Sequence, residues 1–523
     1  MKIALAQLNY SIGDFEANKA KIIDNINKAK QQNADLVVFG EQAISGAPAY
    51  DLLNKVAFLD LCEETLLEIA SYCTDISVIV GLPTSNNSKT ISVAAVIQNQ
   101  KVLRYVGKKT IKSRNELYHI KPSQGCEYIT INDKNIAIVV GEDIKAEQEY
   151  GERADFIINI TNVAYSRRII ERRYEFYKQL SYCTGKPIIY VNNVGGSTDI
   201  VYDGSSGVFN ARGQAVCLLK SFEEDFAIVD SDETMPAIEL EYQNKTHNVY
   251  KAIKLGLGDY FRKNGFTKAC IGISGGIDSA VVASMATEVL GKENVFGVMM
   301  PSQYSTDHSV DDATVLASNL GIQTALVPIA PTFNMLQESM KPVFEDRPFD
   351  VTEENMQARI RGTIMMSVAN KFGSIMLNTS NKSEGAVGYG TLYGDDIGAI
   401  SIIGDLYKTE VYDLARYINR DKEIIPSNTI NKAPSAELRP GQKDSDSIPD
   451  YDMLDAILYR MIEEGQSREE IINAGFDEQD VYHVYSLVLK NEFKRYQFCP
   501  TLSMSTCTFG CDRIMPLTSK YGN

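Results

Sequence analysis

Two α/β domains joined by an acidic linker is the fold the sequence predicts, and three observations predict it. Short, nearly continuous runs of Val, Ile and Leu alternate with longer amphipathic stretches, the pattern of strands covered on both faces by helices. The chain has 523 residues, more than one core ordinarily organises and enough for two or three domains. Between its halves lies Asp230-Ser231-Asp232-Glu233-Thr234-Met235-Pro236, weakly apolar and followed by a polar run at 242–247. Domains are therefore expected at 1–235 and 245–523.

In the first half, strands are expected at 36–39, 78–81, 93–97, 136–140, 156–160 and 188–191, with helices at 15–31 and 165–182. In the second half, a helix at 249–264 leads to a strand at 269–273, a Gly-rich turn and a helix at 279–290. A strand at 295–300, a helix at 311–320, a strand at 325–327, a helix at 352–371 and a strand at 375–377 follow. Such alternation implies parallel strands with right-handed crossovers, a doubly wound sheet whose ligand site lies at the strands' carboxyl ends. The segment at 432–450, rich in Pro, Gly and charge, is expected to wrap over that site.

Composition narrows the partners. Hydrophobic residues make up 44% and charged ones 23%, as in globular chains and unlike disordered or fibrous ones. The 52 basic residues stand against 68 acidic, a net charge of −16 with no basic block, which speaks against nucleic acid or an anionic membrane surface. Nine cysteines without a CxxC pair fit neither a disulfide framework nor a zinc ribbon. The apolar start at 1–8 carries no cleavage signal, and no later apolar run is long enough to cross a bilayer. The expectation is a soluble protein of the reducing cytoplasm, with no nucleic-acid or membrane partner.

The sharpest local signal is Ile271-Gly272-Ile273-Ser274-Gly275-Gly276-Ile277-Asp278-Ser279-Ala280, set between a buried strand and a helix. Adjacent glycines let backbone N–H groups approach an anion, two Ser hydroxyls add donors, and the helix N-terminus adds partial positive charge. That makes a phosphate cradle. It lacks the Lys of GxxxxGK[ST], and the acid Asp278 inside it makes sense where a metal bridges it to phosphate.

SGGxDS after a strand resembles the loop of ATP pyrophosphatases, which cleave ATP between the α and β phosphates to adenylate a substrate oxygen. The segments 377–384, 388–395, 404–409 and 432–444 then resemble, in order, the motifs of the NAD synthetase family. The resemblance implies conversion of deamido-NAD to NAD, with ATP as substrate and Mg²⁺ as cofactor. By position, Ser274, Gly275, Gly276, Ile277, Asp278 and Ser279 would hold the pyrophosphate, and Asp278 and Glu384 would ligate the metal. Thr379, Lys408 and Ser435 match residues around the ATP phosphates, with Asp278 and Lys408 as catalytic groups. Asn355, Arg359, Asp395 and Lys494 match the deamido-NAD site.

In the first half, Val37-Val38-Phe39-Gly40-Glu41-Gln42-Ala43 resembles the first motif of the nitrilase superfamily. Segments 190–196 and 203–206 resemble glutaminase domains fused to NAD synthetase, so the layout is that of the glutamine-dependent NAD synthetase family. This implies an αββα sandwich ahead of the doubly wound sheet, and homo-oligomeric association. The family hydrolyses glutamine with a Glu–Lys–Cys triad. Here the register places Gly141 where the nucleophile belongs, before Glu142-Asp143. The lysine loop is also shortened; Lys109 is the expected equivalent of the family's Lys, with Lys108 and Lys112 open. Glu41 keeps the family position as a base without a nucleophile, so Glu41 and Lys109 read as vestigial.

Cys62, Cys73 and Cys183 lie in helical stretches and Cys126 after the lysine loop, which offers no replacement thiol. The reading is an NAD synthetase that takes ammonia. Two alternatives stay open: glutamine use, with Gly141 an engineered replacement or the register mistaken, or a first half that serves as a binding or assembly module.

Overall fold

The computed structural model describes residues 1–112, 114–145, 153–233 and 235–520; Ser113 of the lysine loop and Thr234 of the linker lie outside them. Contacts divide the chain into two compact units, Met1–Gln243 and Asn244–Asn523.

The first unit runs β1 (Lys2–Gln7), α1 (Phe15–Gln31), β2 (Leu36–Phe39), α2 (Val56–Ser71), β3 (Ser77–Asn86), β4 (Lys89–Gln98), β5 (Lys101–Gly107) and α3 (Arg114–Leu117). It continues through β6 (Glu127–Ile131), β7 (Lys134–Val140), β8 (Phe156–Thr161), α4 (Ile169–Thr184), β9 (Ile188–Asn192), β10 (Val194–Ser197), β11 (Ile200–Asp203), β12 (Gly207–Phe209), β13 (Ala215–Leu218) and β14 (Asp225–Asp230). Two six-stranded sheets result, ordered β14-β1-β2-β3-β4-β5 and β13-β12-β9-β8-β7-β6. Each has a parallel centre, β1-β2-β3 or β7-β8-β9, flanked by antiparallel strands.

Strand β1 shows why these strands read as unbroken apolar runs. Ile3 and Leu5 point into the core between the sheets, with Val38, Ile138, Ile158 and Ile189. Ala4 and Ala6 point the other way, into the core under α1 and α2 with Ile22, Ile26 and Leu66. Successive side chains alternate faces, and both faces are covered. The unit is an αββα sandwich.

The second unit runs α5 (Lys245–Asn264), β15 (Ala269–Gly272), α6 (Ile277–Leu290), β16 (Val295–Met299), α7 (Asp307–Leu320), β17 (Gln323–Leu326), α8 (Ala330–Phe344), α9 (Val351–Phe372), β18 (Ile375–Asn378), α10 (Lys382–Val387), β19 (Ile400–Ser401) and α11 (Lys408–Ile418). Its sheet is wholly parallel, ordered β17-β16-β15-β18-β19. The chain winds outward from β15 to β17, then crosses back to β18 on the other side. That reversal puts the switch point at the carboxyl end of β15, where the Ser274 turn begins, and such points hold the ligand in doubly wound sheets.

The structure moves several boundaries, among them the helix expected at 165–182, which is α4 at Ile169–Thr184. Helix α5 starts at Lys245 inside the polar run taken as linker, because the Asn244 side chain caps it by accepting from Thr246 N at 2.9 Å. Likewise α7 starts at Asp307 rather than 311, with the Thr306 side chain accepting from Ser309 N as its cap. Among the described residues, no helix is long and apolar enough to cross a membrane.

Candidate active sites

In the second unit the turn after β15 is shaped by close approach. Gly275 has φ +80°, and a Cβ there would lie 2.2 Å from the Ser309 carbonyl oxygen, so only glycine fits. Ser274 Oγ accepts from Gly276 N at 3.1 Å, and Ser279 Oγ donates to the Gly276 carbonyl at 3.0 Å. These bonds hold the turn against the first turn of α6. It opens on a cavity of about 320 Å³ lined by Ser274, Gly276, Ile277, Asp278, Ser279, Thr379, Glu384, Asp395, Lys408 and Ser435. Residues named from five separate stretches of sequence thus meet in one place.

Their electrostatics centre on Lys408, whose side chain is nearly fully buried. Its Nζ bonds Asp278 Oδ2 and stands 3.2 Å from Glu384 Oε1, over the Tyr451 ring. Burial works against its charge, but the two carboxylates hold its pKa above the usual lysine range. Glu384 is pushed up to about 8, by burial first and by nearby Asp278 and Asp444, with Lys408 opposing. Asn381 fixes the geometry: it caps α10 through Glu384 N at 3.0 Å and donates from Nδ2 to Asp278 Oδ1 at 2.9 Å. Sequence reading gave Asn381 no role, although it lies within the motif.

Asp278 and Glu384 both bond the Lys408 ammonium and line the same cavity. Among the described residues, no three His, Cys, Asp or Glu side chains gather into a metal cage. Mg²⁺ shared with substrate phosphates is held by one or two carboxylates, and the chemistry of this pair fits that role.

Three of the expected deamido-NAD residues stand outside this cavity. Asn355 accepts from Thr391 Oγ at 2.7 Å, Arg359 Nε donates to the Leu392 carbonyl at 3.2 Å, and Lys494 Nζ donates to the Gly388 and Gly390 carbonyls, each at 2.7 Å. All three brace the 388–395 segment that carries Asp395. Burial pulls the Lys494 pKa down and pushes that of Asp395 up.

Behind the cavity, Lys382 is fully buried and bridges Asp405 at 2.7 Å and Glu463 at 2.5 Å. Asp405 in turn accepts from Met504 N, Ser505 Oγ and Thr508 Oγ at 2.8 to 3.0 Å. The node ties α10 to a segment more than a hundred residues away. Lys382→Met would take from two buried carboxylates the cation they share, a change worth about 3–5 kcal/mol. Urea unfolding should show that loss; a variant within 1 kcal/mol of wild type, on the scale of an exposed pair, would deny the node its role.

In the first unit, three strand ends meet. Glu41 follows β2, Lys108 follows β5 and Gly141 follows β7. Lys108 Nζ donates to Glu41 Oε1 at 3.0 Å and to Glu116 Oε2 at 2.7 Å, and Ser92 Oγ donates to Glu41 Oε1 at 3.0 Å. The Glu41 pKa is pushed up to about 7, by burial first, with Lys108 opposing and Glu116 adding. The lysine paired with Glu41 is thus Lys108, one of the two held open beside Lys109. Lys108 N donates to the Ser92 carbonyl, extending the pairing of β5 with β4 by one residue. In such pairing a one-residue slip turns a side chain to the other face, and Lys109 lies against Gly125 instead. Glu116 was given no role from sequence.

Gly141 sits against this pair. A Cβ there would lie 2.6 Å from Lys108 Cε and 3.1 Å from Glu41 Oε2, and its φ is +58°. Glu41 Oε2 is buried without a hydrogen-bond partner among the described residues, so this oxygen of the carboxylate faces the position with no side chain. The only side chains bonded to the Glu41 carboxylate or the Lys108 ammonium among the described residues are Ser92, Glu116 and each other. Cys62 and Cys73 lie in the helix-side core, their thiols pushed up to about 12 by burial. Cys183 is exposed on α4, and Cys126 Sγ donates to the Glu127 carbonyl at 3.9 Å.

The two units define a class: a carbon–nitrogen hydrolase fold followed by an ATP-dependent synthetase. Residues 2–238 match the carbon-nitrogen hydrolase family and residues 249–498 the NAD synthase family. The chain is 38% identical over 552 aligned positions to the glutamine-dependent NAD(+) synthetase of Synechocystis sp., covering 99% of each chain. It is 37% identical to that of Thermotoga maritima, covering 100% of this chain and 99% of the relative. The solved glutamine-dependent NAD+ synthetase of Acinetobacter baumannii in complex with ADP is similar, with 33% identity, a TM-score of 0.77 and coverage of 99% and 98%. The chain belongs to the family of glutamine-dependent NAD(+) synthetases, and it is a ligase that forms a carbon–nitrogen bond.

Proposed function

We propose that this chain amidates deamido-NAD with ammonia at the expense of ATP, releasing AMP and pyrophosphate. The nicotinate carboxylate forms a bond to the α-phosphate, the bond to pyrophosphate breaks, and ammonia then displaces AMP from the acyl adenylate. Such a step asks the protein chiefly for position and charge. The Ser274–Ser279 turn binds the departing pyrophosphate, Lys408 and Thr379 balance its charge, and Asp395 orients the deamido-NAD end. Mg²⁺ held by Asp278 and Glu384 would neutralise phosphate charge.

The observation that carries the choice of ammonia is Gly141 beside Oε2 of Glu41. Amide hydrolysis through a thioester needs a sulfur there. The relatives' names favour a second reading, with glutamine as donor, and the retained Glu41–Lys108 pair is compatible with it. That reading requires a nucleophile at position 141 in the gene-encoded chain. We further place the protein in the cytoplasm as a homo-oligomer, with the first unit kept for assembly. Purified protein given ATP, Mg²⁺, deamido-NAD and ammonium should form NAD and AMP in equal amounts; AMP without NAD, or neither, would overturn the function.

A further inference from the structure

Arg361 stands on α9 and lines the nucleotide cavity, unlike Arg359 two positions before it. Its Nε donates to the Met300 carbonyl, just past β16, at 3.0 Å. Among the described residues no carboxylate lies within ion-pair distance of its guanidinium. The other cations of the cavity are engaged, Lys408 by Asp278 and Glu384, and Lys432 by Asp312 at 3.1 Å. The carboxylates of Asp395 and Glu437 act on Arg361 through space without an ion-pair contact, and each is hydrogen-bonded elsewhere. Asp395 accepts from Thr391 N, and Glu437 accepts from the hydroxyls of Thr306 and Ser309.

A guanidinium keeps its charge even where burial disfavours it, and its planar fork matches phosphate and carboxylate oxygens two at a time. A half-buried cation without an anion costs free energy that a bound anion relieves. Arg361 has that standing in the cavity, and among the described residues its Nη donors have no hydrogen-bond partner.

We propose that Arg361 binds substrate, its free Nη edge holding an oxyanion of the reacting pair, the ATP α-phosphate or the nicotinate carboxylate. The inference rests on reading this cavity as the site of adenylation. As the carboxylate–phosphorus bond forms and pyrophosphate leaves, charge concentrates on these oxygens, where a fixed guanidinium acts most strongly.

The test is steady-state AMP release by Arg361→Gln and Arg361→Lys with ammonium as donor, beside ATP binding by calorimetry and thermal melting. Arg361→Gln should lower kcat/KM by about 10²-fold, and Arg361→Lys should recover part of it, having charge without the fork. A higher KM for ATP with weaker ATP binding assigns the α-phosphate; a higher KM for deamido-NAD alone assigns the carboxylate. A melting temperature near wild type is expected of Arg361→Lys, which separates binding from folding. If Arg361→Gln keeps near-normal kcat and both KM values, the inference is wrong. Wild-type protein that binds ATP but releases no AMP with deamido-NAD would instead overturn the reading of the cavity, and this inference with it.

Discussion

Asp278→Asn is expected to lower deamido-NAD-dependent release of pyrophosphate by about 10² to 10³, the range for removing one preorganised charge from a reacting site. The substitution keeps shape and removes a charge. Asp278 accepts from Asn381 Nδ2 and pairs with Lys408, so the change strips the proposed cation position of one of its two carboxylates. Lys408 then has Glu384 alone, 3.2 Å away, and Mg²⁺ would have a single protein ligand. Glu384→Gln should act in the same direction, because Glu384 is the other carboxylate and its place is set by the α10 cap. Both variants should melt near wild type, since in each the buried Lys408 keeps one of its two carboxylates. Near-normal pyrophosphate release by Asp278→Asn would remove the shared cation position from the account.

Much of this was legible in the sequence, and the exceptions share a cause. Unbroken Val and Ile runs announce strands covered on both faces, as Ile3 and Leu5 against Ala4 and Ala6 demonstrate in β1. The Ser274 turn could be read because its glycines and hydroxyls answer a backbone requirement that lies within a few residues. Helix α8 escaped, since a proline at each end of 331–342 reads as loop. Choosing between Lys108 and Lys109 needed the register of β5 on β4, which depends on the Ser92 carbonyl. The place of Asn355, Arg359 and Lys494 beside the 388–395 segment, and not in the cavity, is likewise a matter of tertiary packing. Arg361 was passed over because an arginine on a helix is ordinarily a surface charge; only its lack of a carboxylate partner within the cavity sets it apart.

Glutamine-supported NAD formation is expected to be absent, a loss of the whole rate and not a fraction of it. In a cooperating triad, removal of the nucleophile takes away most of the catalysis whatever the other members do. Here Glu41 and Lys108 remain, but the position facing Glu41 Oε2 has no side chain. Nor should Gly141→Cys alone restore hydrolysis. Its Cβ would lie 2.6 Å from Lys108 Cε with φ at +58°, a conformation that favours glycine. Lys108 would have to give ground while bound to both Glu41 and Glu116. The variant should lose stability by about 1–3 kcal/mol and gain no glutaminase activity.

The most direct measurement follows the nitrogen. Purified protein whose gene-encoded residue 141 has been verified as Gly is supplied with ATP, Mg²⁺ and deamido-NAD, and with either ¹⁵N-ammonium or amide-¹⁵N-glutamine. An ammonium-scavenging system is included in the glutamine arm. The account predicts ¹⁵N in the carboxamide of NAD from ammonium and none from glutamine; labelled NAD from glutamine under scavenging would contradict it.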